Sequence, residues 1–225
     1  MYPYYSDNSK FYVAVDSIIF SYEDNKLKVL IQKRKFEPFQ GESSLMGGFV
    51  REDETITDAA RRIIKERTGL DNTELYEVGA FGSLNRDAAA RVISICYFTI
   101  ANRNECDDTL NEENVGQWID VYEMPQLIFD HNDMVKRALK LLRKKIALEP
   151  IAMRMLSESF TLSQLQTLYE VILNDELDKR NFRKRIAEMP FIEETGEIDK
   201  KTSKRGARLF RFNDTMYNEN KIFKL

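Results

Sequence analysis

The sequence predicts a mixed α/β fold of the α+β type, in two parts. Over about the first 148 residues, apolar segments typical of strands are interrupted by two segments with helical periodicity. From residue 149 onward, three helical segments precede two short apolar runs that flank a basic stretch. Pro150 lies between the two parts, where a break is expected. We therefore expect an α/β/α sandwich over residues 1–148 and a smaller, mainly helical domain over residues 149–225.

The composition excludes membrane proteins and disulfide-rich secreted proteins. Hydrophobic residues make up 43% of the 225 residues, enough for real cores, and the formal net charge is -3. Cys96 and Cys106 lack the spacing of a metal site or a disulfide framework. The first ten residues have no basic or apolar region of a signal peptide, and no apolar run approaches a membrane span. We expect a cytoplasmic protein without membrane contact.

Five segments of the first part have the apolar, β-branched and aromatic residues of strands. The first two are expected to be joined by a turn at Asp24-Asn25, and the fifth to end at Pro125. The five segments are residues 11–20, 27–35, 75–82, 91–100 and 116–125.

The first helix of this part belongs to the stretch from Gly47 to Leu70. We expect a turn at Gly47-Gly48, an acidic segment, and then a helix capped by Thr57 and ended by Gly69. Its apolar face consists of Ala59, Ala60, Ile63 and Ile64. A second amphipathic helix is predicted over residues 132–148, with Asn132 or Asp133 as its cap.

The stretch from Gly47 to Leu70 resembles the signature of the Nudix hydrolases. In that family a Gly is followed after five residues by Glu, and after seven more by Arg-Glu-apolar-any-Glu-Glu-any-Gly-apolar. The matching positions are Gly48, Glu54, Arg62, Ile64, Glu66, Gly69 and Leu70. Two positions differ, because Ile63 and Arg67 stand where the family has Glu. The resemblance implies a Nudix sandwich for the first part.

The two departures remove carboxylates from one helix face. Positions 63, 66 and 67 are three and four residues apart and share that face. In active Nudix enzymes, as the resemblance implies, three carboxylates there hold Mg²⁺ against a diphosphate, and Mg²⁺ requires oxygen ligands. With Ile63, Glu66 and Arg67 the face has no net charge. We therefore expect no metal, no cofactor and no catalytic residue; the alternative is a working hydrolase that recruits Glu112 or Glu113.

The second part has the layout of a winged helix-turn-helix. Thr161 is expected to cap the second of its three helices. After the third helix, residues 191–198 and 208–212 are expected to pair as strands around a basic tip. The three helices are predicted over residues 151–160, 161–175 and 179–189.

Basic residues concentrate in the third helix and the hairpin tip. Arg180, Asn181 and Arg183 have side chains suited to base edges, and the other candidates suit phosphates. The alternative is a solvated charged helix without a partner. The candidates on the helix are Lys179, Arg180, Asn181, Arg183, Lys184 and Arg185. The candidates in the hairpin are Lys200, Lys201, Lys204 and Arg205.

The whole chain resembles the Nudix-related transcriptional regulators of the NrtR type and the AraR type. The resemblance rests on the altered Nudix signature, on SLNRDAAARVISICYF (83–98) and on FTLSQLQTLYEVILNDELDKRNFRKRI (160–186). It implies a homodimeric repressor that binds double-stranded operator DNA and whose Nudix-like domain senses a small molecule. In the NrtR type that molecule is ADP-ribose and the genes serve NAD metabolism; in the AraR type it is L-arabinose and the genes serve sugar use.

The effector is the least determined feature of the sequence. Loss of the Mg²⁺ ligands favours an uncharged ligand, so L-arabinose or another sugar is the first expectation. ADP-ribose is the alternative, because the loop at Asn85 could hold a diphosphate. A second alternative is an active Nudix pyrophosphatase with an appended interaction module. The candidate ligand-binding residues are Tyr12, Gln32, Arg34, Glu42, Phe81, Asn85, Arg86, Asp87 and Arg91.

Overall fold

One long strand, β1 (Tyr12–Glu23), organises the first part of the molecule. The computed structural model describes residues 3–106, 116–200, 206–220 and 223. Within this range β1 pairs in parallel with β6 (Val92–Ile100) and antiparallel with β2 (Lys26–Lys33) and β4 (Met46–Phe49). Because β2 and β4 pair with different segments of β1, the sheet divides into two branches that separate near the middle of that strand. The remaining strands of this sheet are β3 (Ser43–Ser44), β5 (Tyr76–Phe81) and β7 (Gly116–Asp120).

Two helices cover the two faces of the sheet, as the predicted sandwich requires. Helix α2 (Ile56–Thr68) buries Ala59, Ala60, Ile63 and Ile64 against one face. Helix α3 (His131–Ile146) buries Met134, Val135, Ala138 and Leu142 against the other. A single turn, α1 (Pro3–Ser6), precedes the sheet.

Three predictions of turns and helix caps in the first part are wrong. Gly47-Gly48 do not form a turn, because both residues pair with β1 as part of β4. The cap of α2 is Thr55 rather than Thr57, since the Thr55 side chain accepts from the Asp58 backbone N–H; Gly69 does end the helix, with a φ of 73°. Neither Asn132 nor Asp133 caps α3, which begins at His131. The Asn132 side chain instead accepts from the Leu127 backbone N–H.

The second part is a helical pair with a small antiparallel sheet. In place of the first predicted helix there is a 3₁₀ segment (Pro150–Met155) followed by β8 (Ser159–Thr161). The helix α4 (Leu162–Leu173) begins with a capping box between Thr161 and Gln164. The remaining elements are α5 (Lys179–Ala187), β9 (Ile192–Asp199), β10 (Ala207–Phe212) and α6 (Asp214–Asn220). Strand order is β8-β10-β9, so the predicted hairpin is present and gains a third strand.

The two parts share one continuous apolar core. Side chains from β1, β6 and α3 form one buried cluster with side chains from α4 and α5. Polar contacts reinforce this junction: Tyr122 Oη donates to the carbonyl of Val171 at 2.7 Å, and Arg143 Nε donates to that of Ile172 at 2.8 Å. Both carbonyls belong to the last turn of α4, so two of the acceptors that the helix itself leaves unpaired gain partners. Among the described residues, no helix is long and apolar enough to cross a membrane.

Candidate functional site

The main cleft of the first part opens where the two branches of the sheet diverge. Its walls come from β1, β2, β4, the loops after β2 and before β6, the end of α2 and the start of α3. Its empty space, with the open mouth included, is about 750 Å³. The cavity volume itself is about 120 Å³.

A buried carboxylate, Asp16 of β1, forms the floor of this cleft. Its Oδ2 accepts from Ser94 Oγ at 2.6 Å and from Arg86 Nη2 at 3.3 Å. Its Oδ1 lies 3.4 Å from Nε2 of His131. A charge in such a place requires partners, and here the Arg86 cation and the Ser94 hydroxyl supply them, with the His131 ring close by.

The imidazole of His131 is held in one tautomer. Its Nδ1 accepts from the Leu45 backbone N–H at 3.1 Å, so the proton of the neutral ring lies on Nε2 and faces Asp16. Burial lowers the pKa of His131 below its usual value of 6.5, although Asp16 favours the charged form. The ring is therefore neutral at pH 7; it joins the start of α3 to Leu45 by a hydrogen bond and lies close to Asp16 of β1.

Arg86 links the loop before β6 to the start of α3. Its Nε and Nη2 donate to the two oxygens of Asp130 at 3.1 and 2.8 Å, and its side chain is only 4% exposed. Asp130 occupies the N-cap position of α3 but makes no capping bond with its side chain. The carboxylate that would ordinarily cap the helix is thus engaged by Arg86.

An aromatic cluster forms one wall. Phe129 packs edge-on against Phe39 and His131, with ring centroids 5.4 and 5.5 Å away. The guanidinium of Arg34 lies 4.5 Å from the Phe36 ring centroid and 5.3 Å from that of Phe129. Such faces can stack against a planar ligand group.

Backbone lines another wall at Gly47 and Gly48. A Cβ on Gly47 would collide with Oδ1 of Asp16 and would lie 2.9 Å from the carbonyl oxygen of Val15. A Cβ on Gly48 would lie 2.9 Å from Cδ1 of Ile63. Gly47 and Gly48 therefore allow β4 to approach both β1 and α2 closely. This close approach, rather than a turn, accounts for the two glycines.

Charged side chains around the cleft are mostly cationic. Its carboxylates, among the described residues, are Asp16 and Asp87. Its cations are Lys33, Arg34, Lys35, Arg67 and Arg86. This excess suits an anionic ligand.

The signature helix α2 has its acidic residues engaged with arginines. Arg62 binds both oxygens of Glu54, at 2.6 and 2.8 Å, and this pairing lowers the pKa of Glu54 to about 2. Glu66 lies 3.5 Å from Arg62 and 3.8 Å from Arg51. Ile63 is only 3% exposed and belongs to the apolar cluster under α2. Among the described residues this arrangement does not fit Mg²⁺, since one required oxygen ligand is a buried alkyl group and the other carboxylates of the signature are paired with cations. Glu112 and Glu113, which the alternative hydrolase would recruit, lie outside the described residues.

Four of the candidate ligand residues line the cleft: Gln32, Arg34, Arg86 and Asp87. The other five lie outside its lining. Tyr12 packs on Phe49, and Arg91 donates to the Ser83 carbonyl. Phe81 lies under the Arg137 guanidinium. Glu42 and Asn85 are absent from the lining. Contact of any of these residues with a ligand remains a prediction.

Sequence reasoning missed the residues that hold the cleft together. These residues are Asp16, Phe129, Asp130 and His131. Two signals were available: Asp16 is a lone charge within a strongly apolar strand, and His131 is the one histidine of the chain. A buried charge in such a strand needs a partner, and that requirement could have pointed to Arg86.

The exposed side of α5 forms the candidate DNA interface. Phe182 and Ile186 anchor the helix to the core, with Phe182 6.0 Å from the Tyr169 ring. Its six candidate residues, Lys179, Arg180, Asn181, Arg183, Lys184 and Arg185, are all exposed. Within the described part of the chain, none of the five cations has an ion-pair partner within 4 Å.

A groove beside α5 joins this surface to the small sheet. Arg183 faces it together with Ser163 and Thr167 of α4 and Arg208 of β10. Lys200, at the end of β9, is exposed. The other hairpin candidates, Lys201, Lys204 and Arg205, lie outside the described residues. Contact of these residues with DNA remains a prediction.

Comparison with known families agrees with both halves of the architecture. The NUDIX domain model matches residues 10–143, and the NrtR DNA-binding winged helix domain model matches residues 152–212. The ADPR responsive transcriptional repressor NtrR of Acinetobacter baylyi is 31% identical over 204 residues, which cover 89% of this chain and 81% of the relative. The chain belongs to the NrtR type of Nudix and winged-helix transcriptional regulators.

Solved structures of NrtR proteins have the same arrangement. The NrtR of Shewanella oneidensis complexed with a 27mer DNA superposes with a TM-score of 0.82 at 28% identity, covering 95% of this chain and 97% of the other. The Nudix domain of that protein complexed with ADP ribose superposes with a TM-score of 0.54 at 28% identity, covering 61% of this chain and 92% of that domain.

The Nudix part alone also resembles an enzyme. The ADP-ribose pyrophosphatase of Methanocaldococcus jannaschii is 39% identical over 126 residues, covering 55% of this chain and 70% of the relative. Among the relatives described here, ADP-ribose is thus named both for a repressor and for an enzyme. The expectation of L-arabinose, and with it the AraR type and carbohydrate metabolism, finds no support among them.

Proposed function

We propose that this NrtR-type protein is a transcriptional repressor that binds operator DNA through its winged helix and responds to ADP-ribose bound in its Nudix-type cleft. One observation carries the proposal: a basic cleft is joined by one continuous core to a helix whose exposed cations have no ion-pair partner among the described residues. The ADP-ribose named for the relatives supports the choice of effector.

The chemistry of the cleft suits ADP-ribose better than a sugar. A diphosphate carries about two negative charges at neutral pH, which cations of the lining such as Lys33 and Arg34 would offset. The Phe36 and Phe129 rings offer faces for the adenine. The expectation of an uncharged ligand assumed that loss of Mg²⁺ ligands leaves nothing to offset the phosphate charge, and the cationic lining removes that assumption.

DNA binding would use the α5 face. The cations between Lys179 and Arg185 are exposed and, within the described chain, unpaired, as phosphate contacts require. Arg180, Asn181 and Arg183 remain the candidates for base edges in the major groove. The groove at Arg183 would bring the start of α4 and Arg208 close to the DNA backbone.

Helix α3 provides a physical route between the two sites. Asp130 at its N-cap and His131 at its first position contact Arg86 and Asp16 in the cleft. Its last third contacts the winged helix, where Arg143 donates to the Ile172 carbonyl. A ligand that shifts the start of α3 would therefore shift α4, on which α5 packs.

The regulatory step requires two copies of the chain. A homodimer places two α5 helices against two half-sites, and the spacing of those half-sites fixes the geometry that binds DNA. If ADP-ribose prefers a dimer with another spacing, its differential affinity for the two geometries sets the largest effect it can have.

A hydrolase is the rival function. The relative from Methanocaldococcus jannaschii favours it, but the paired carboxylates and the buried Ile63 oppose it. We therefore assign no catalytic step to this chain.

The test is a DNA-binding titration with ADP-ribose, L-arabinose and Mg²⁺. Fluorescence anisotropy would follow a labelled duplex from the region upstream of the protein's own gene. ADP-ribose should weaken binding by about 5- to 150-fold, the usual range of allosteric coupling, and L-arabinose should not. DNA affinity unchanged by ADP-ribose would remove the proposal. A response to L-arabinose alone would restore the sugar sensor, and Mg²⁺-dependent cleavage of ADP-ribose would establish the hydrolase.

A further inference from the structure

We propose that the turn between β1 and β2 contacts the DNA backbone through Asn25, so that the Nudix part of the chain takes a direct share in DNA binding. The inference rests on the proposed function, because it concerns where the bound DNA lies. It places a DNA contact outside residues 152–212, the range that the winged helix domain model matches.

The groove beside α5 is built from both parts of the molecule. Its cavity volume is about 560 Å³. The second part contributes the start of α4, Arg183 of α5 and the beginning of β10 with Gly206 just before it. The Nudix part contributes Asn25. Asn25 therefore lies beside the elements that are proposed to bind DNA, although it belongs to the first hairpin of the chain.

The chemistry of this groove suits a phosphate backbone. Among the described residues, its lining contains two arginines, Arg183 and Arg208, and no carboxylate. Arg183 is exposed, and the Arg208 side chain is 73% exposed although Glu194 binds one of its nitrogens. The hydroxyl groups of Ser163 and Thr167 lie in the same lining. Side chains of these types are the ones that proteins use to bind the phosphate oxygens of DNA.

The path of the bound DNA follows from the position of this groove. With α5 in the major groove and the hairpin of β9 and β10 at the adjacent minor groove, one sugar-phosphate strand must pass between the two elements, because a backbone strand separates each major groove from the next minor groove. The groove beside α5 lies between them, since Arg183 and Arg208 both line it. That strand therefore runs along the groove and reaches Asn25.

Asn25 is held in position by its own hairpin. Asp24 and Asn25 have φ values of 52° and 58°, as in the two-residue turns that join antiparallel strands. Oη of Tyr22 donates to Oδ1 of Asn25 at 2.9 Å. The NH₂ group of the same side chain can only donate, and a phosphate oxygen is an acceptor. Because β1 also carries Asp16, this strand connects the floor of the cleft with the turn.

The experiment measures the DNA affinity of the full-length chain by fluorescence anisotropy, on the duplex from upstream of its own gene and on an unrelated duplex of the same length. Asn25→Gly keeps the positive φ and removes the carboxamide, so we expect the affinity to fall by about 3- to 10-fold. Asn25→Asp should lower it by at least about tenfold, because a carboxylate is then brought to the phosphates. Both duplexes should be affected equally, since a phosphate contact carries no sequence information.

Asn25→Lys tests the contact in the favourable direction. A cation at this position should raise the affinity by about threefold or more, because it neutralises a phosphate. The slope of the logarithm of the binding constant against the logarithm of the salt concentration should become steeper by about 0.9, the value for one more neutralised phosphate.

Asn72 supplies the matched control. It is an exposed residue of the Nudix part with a φ of 51°, and it lies outside the groove lining. Asn72→Asp and Asn72→Lys make the same changes of charge and should alter DNA affinity by less than about twofold, since neither places a charge in the groove. Thermal unfolding shows whether each variant is folded. Should Asn25→Asp or Asn25→Lys not fold, Asn25→Gly decides the question, because glycine adopts positive φ without strain.

Each outcome separates the inference from its rivals. Wild-type affinity in Asn25→Gly, or equal effects of the charge changes at positions 25 and 72, would overturn the contact while leaving the proposed function intact. A loss confined to the upstream duplex would overturn its assignment to the backbone. No binding of either duplex by the wild type would instead remove the proposed function itself.

Discussion

Two charged helices of this protein use their charges in opposite ways. On α2 the basic residues have acidic neighbours: Arg62 pairs with Glu54, Arg61 with Asp58 and Lys65 with Asp71. On α5 the basic residues from Lys179 to Arg185 have no such partner among the described residues. Both helices bury one apolar face of similar kind, so the difference lies in the exposed side chains.

The comparison distinguishes charges that are ion-paired within the protein from charges that are available to a binding partner. The paired cations on α2 fix the loop before the helix and bind the carboxylates of the Nudix signature. Each exposed pair contributes only modestly to the free energy of unfolding. Neighbouring cations on α5 repel one another and, within the described chain, meet no carboxylate that would offset this repulsion. A bound polyanion would offset this repulsion, which is the physical basis for the proposal that DNA binds at α5.

The largest expected effect tests α5 against α2 directly. Replacing Arg180 and Arg183 together by Ala should weaken operator binding by at least about 30-fold, because each lost base or phosphate contact is worth roughly 1–3 kcal/mol. The control is Arg61→Ala with Lys65→Ala, which removes the same charge from paired residues of α2. It should change DNA affinity by less than about threefold in the same anisotropy assay. Equal losses in the two double variants would mean that only net charge matters.

The second expectation concerns the buried position of the signature. Ile63→Glu should lower the free energy of unfolding by about 2–5 kcal/mol, since a carboxylate would enter an apolar cluster without a partner. Ile63→Met, which keeps the volume, should cost less than about 1.5 kcal/mol. Urea unfolding measures both. A stable Ile63→Glu variant whose melting temperature rises with Mg²⁺ would show that the metal site can be rebuilt by one residue.

A smaller effect is expected where α3 contacts α4. Arg143→Ala removes the bond to the Ile172 carbonyl without touching either site. ADP-ribose affinity should stay within about twofold, while the effect of ADP-ribose on DNA binding should shrink by about 0.5–2 kcal/mol. Lys140→Ala, on the same helix, is the control. Full coupling in Arg143→Ala would exclude this contact as the route.

The smallest effect is a pH dependence of the Glu54 pair. The Arg62 guanidinium lowers the pKa of Glu54 from 4.5 to about 2. The stability that the Glu54–Arg62 pair contributes to the folded protein is therefore complete above pH 4.5 and is lost as the pH falls through about 2. Glu54→Gln should lower the melting temperature slightly at neutral pH, and the difference from the wild type should narrow at about pH 3. Glu66→Gln, in a longer and more exposed pair, should show a smaller difference at both values.

The sequence predicted the architecture well where local signals and packing agree. The apolar periodicity of α2 and α4, the Gly69 stop and the Thr161 cap all lie where the pattern placed them. The fold class and the order of the two domains follow from these elements and the family signature.

The cleft could be predicted only in part, because its contacts join residues far apart in the chain. Asp16, Arg86 and His131 come from a strand, a loop and a helix start, and no local spacing connects them. A turn was predicted at Gly47-Gly48 because a local sequence pattern contains no information about the partner strand β1. The expectation of a sugar rested on the lost Mg²⁺ ligands at positions 63 and 67, because the other cations of the cleft lie far away in the chain, in β2, the loop after it and the loop before β6.

The most direct test of a metal-free sensor joined to a DNA-binding helix follows one sample through both activities. The full-length protein on its operator in EDTA would receive ADP-ribose while anisotropy records the DNA; Mg²⁺ would follow, and the nucleotide would be recovered and analysed. We predict that DNA is released before Mg²⁺ is added and that ADP-ribose is recovered intact afterwards. DNA that stays bound until Mg²⁺ arrives, or AMP accumulating at an enzymatic rate, would contradict the account.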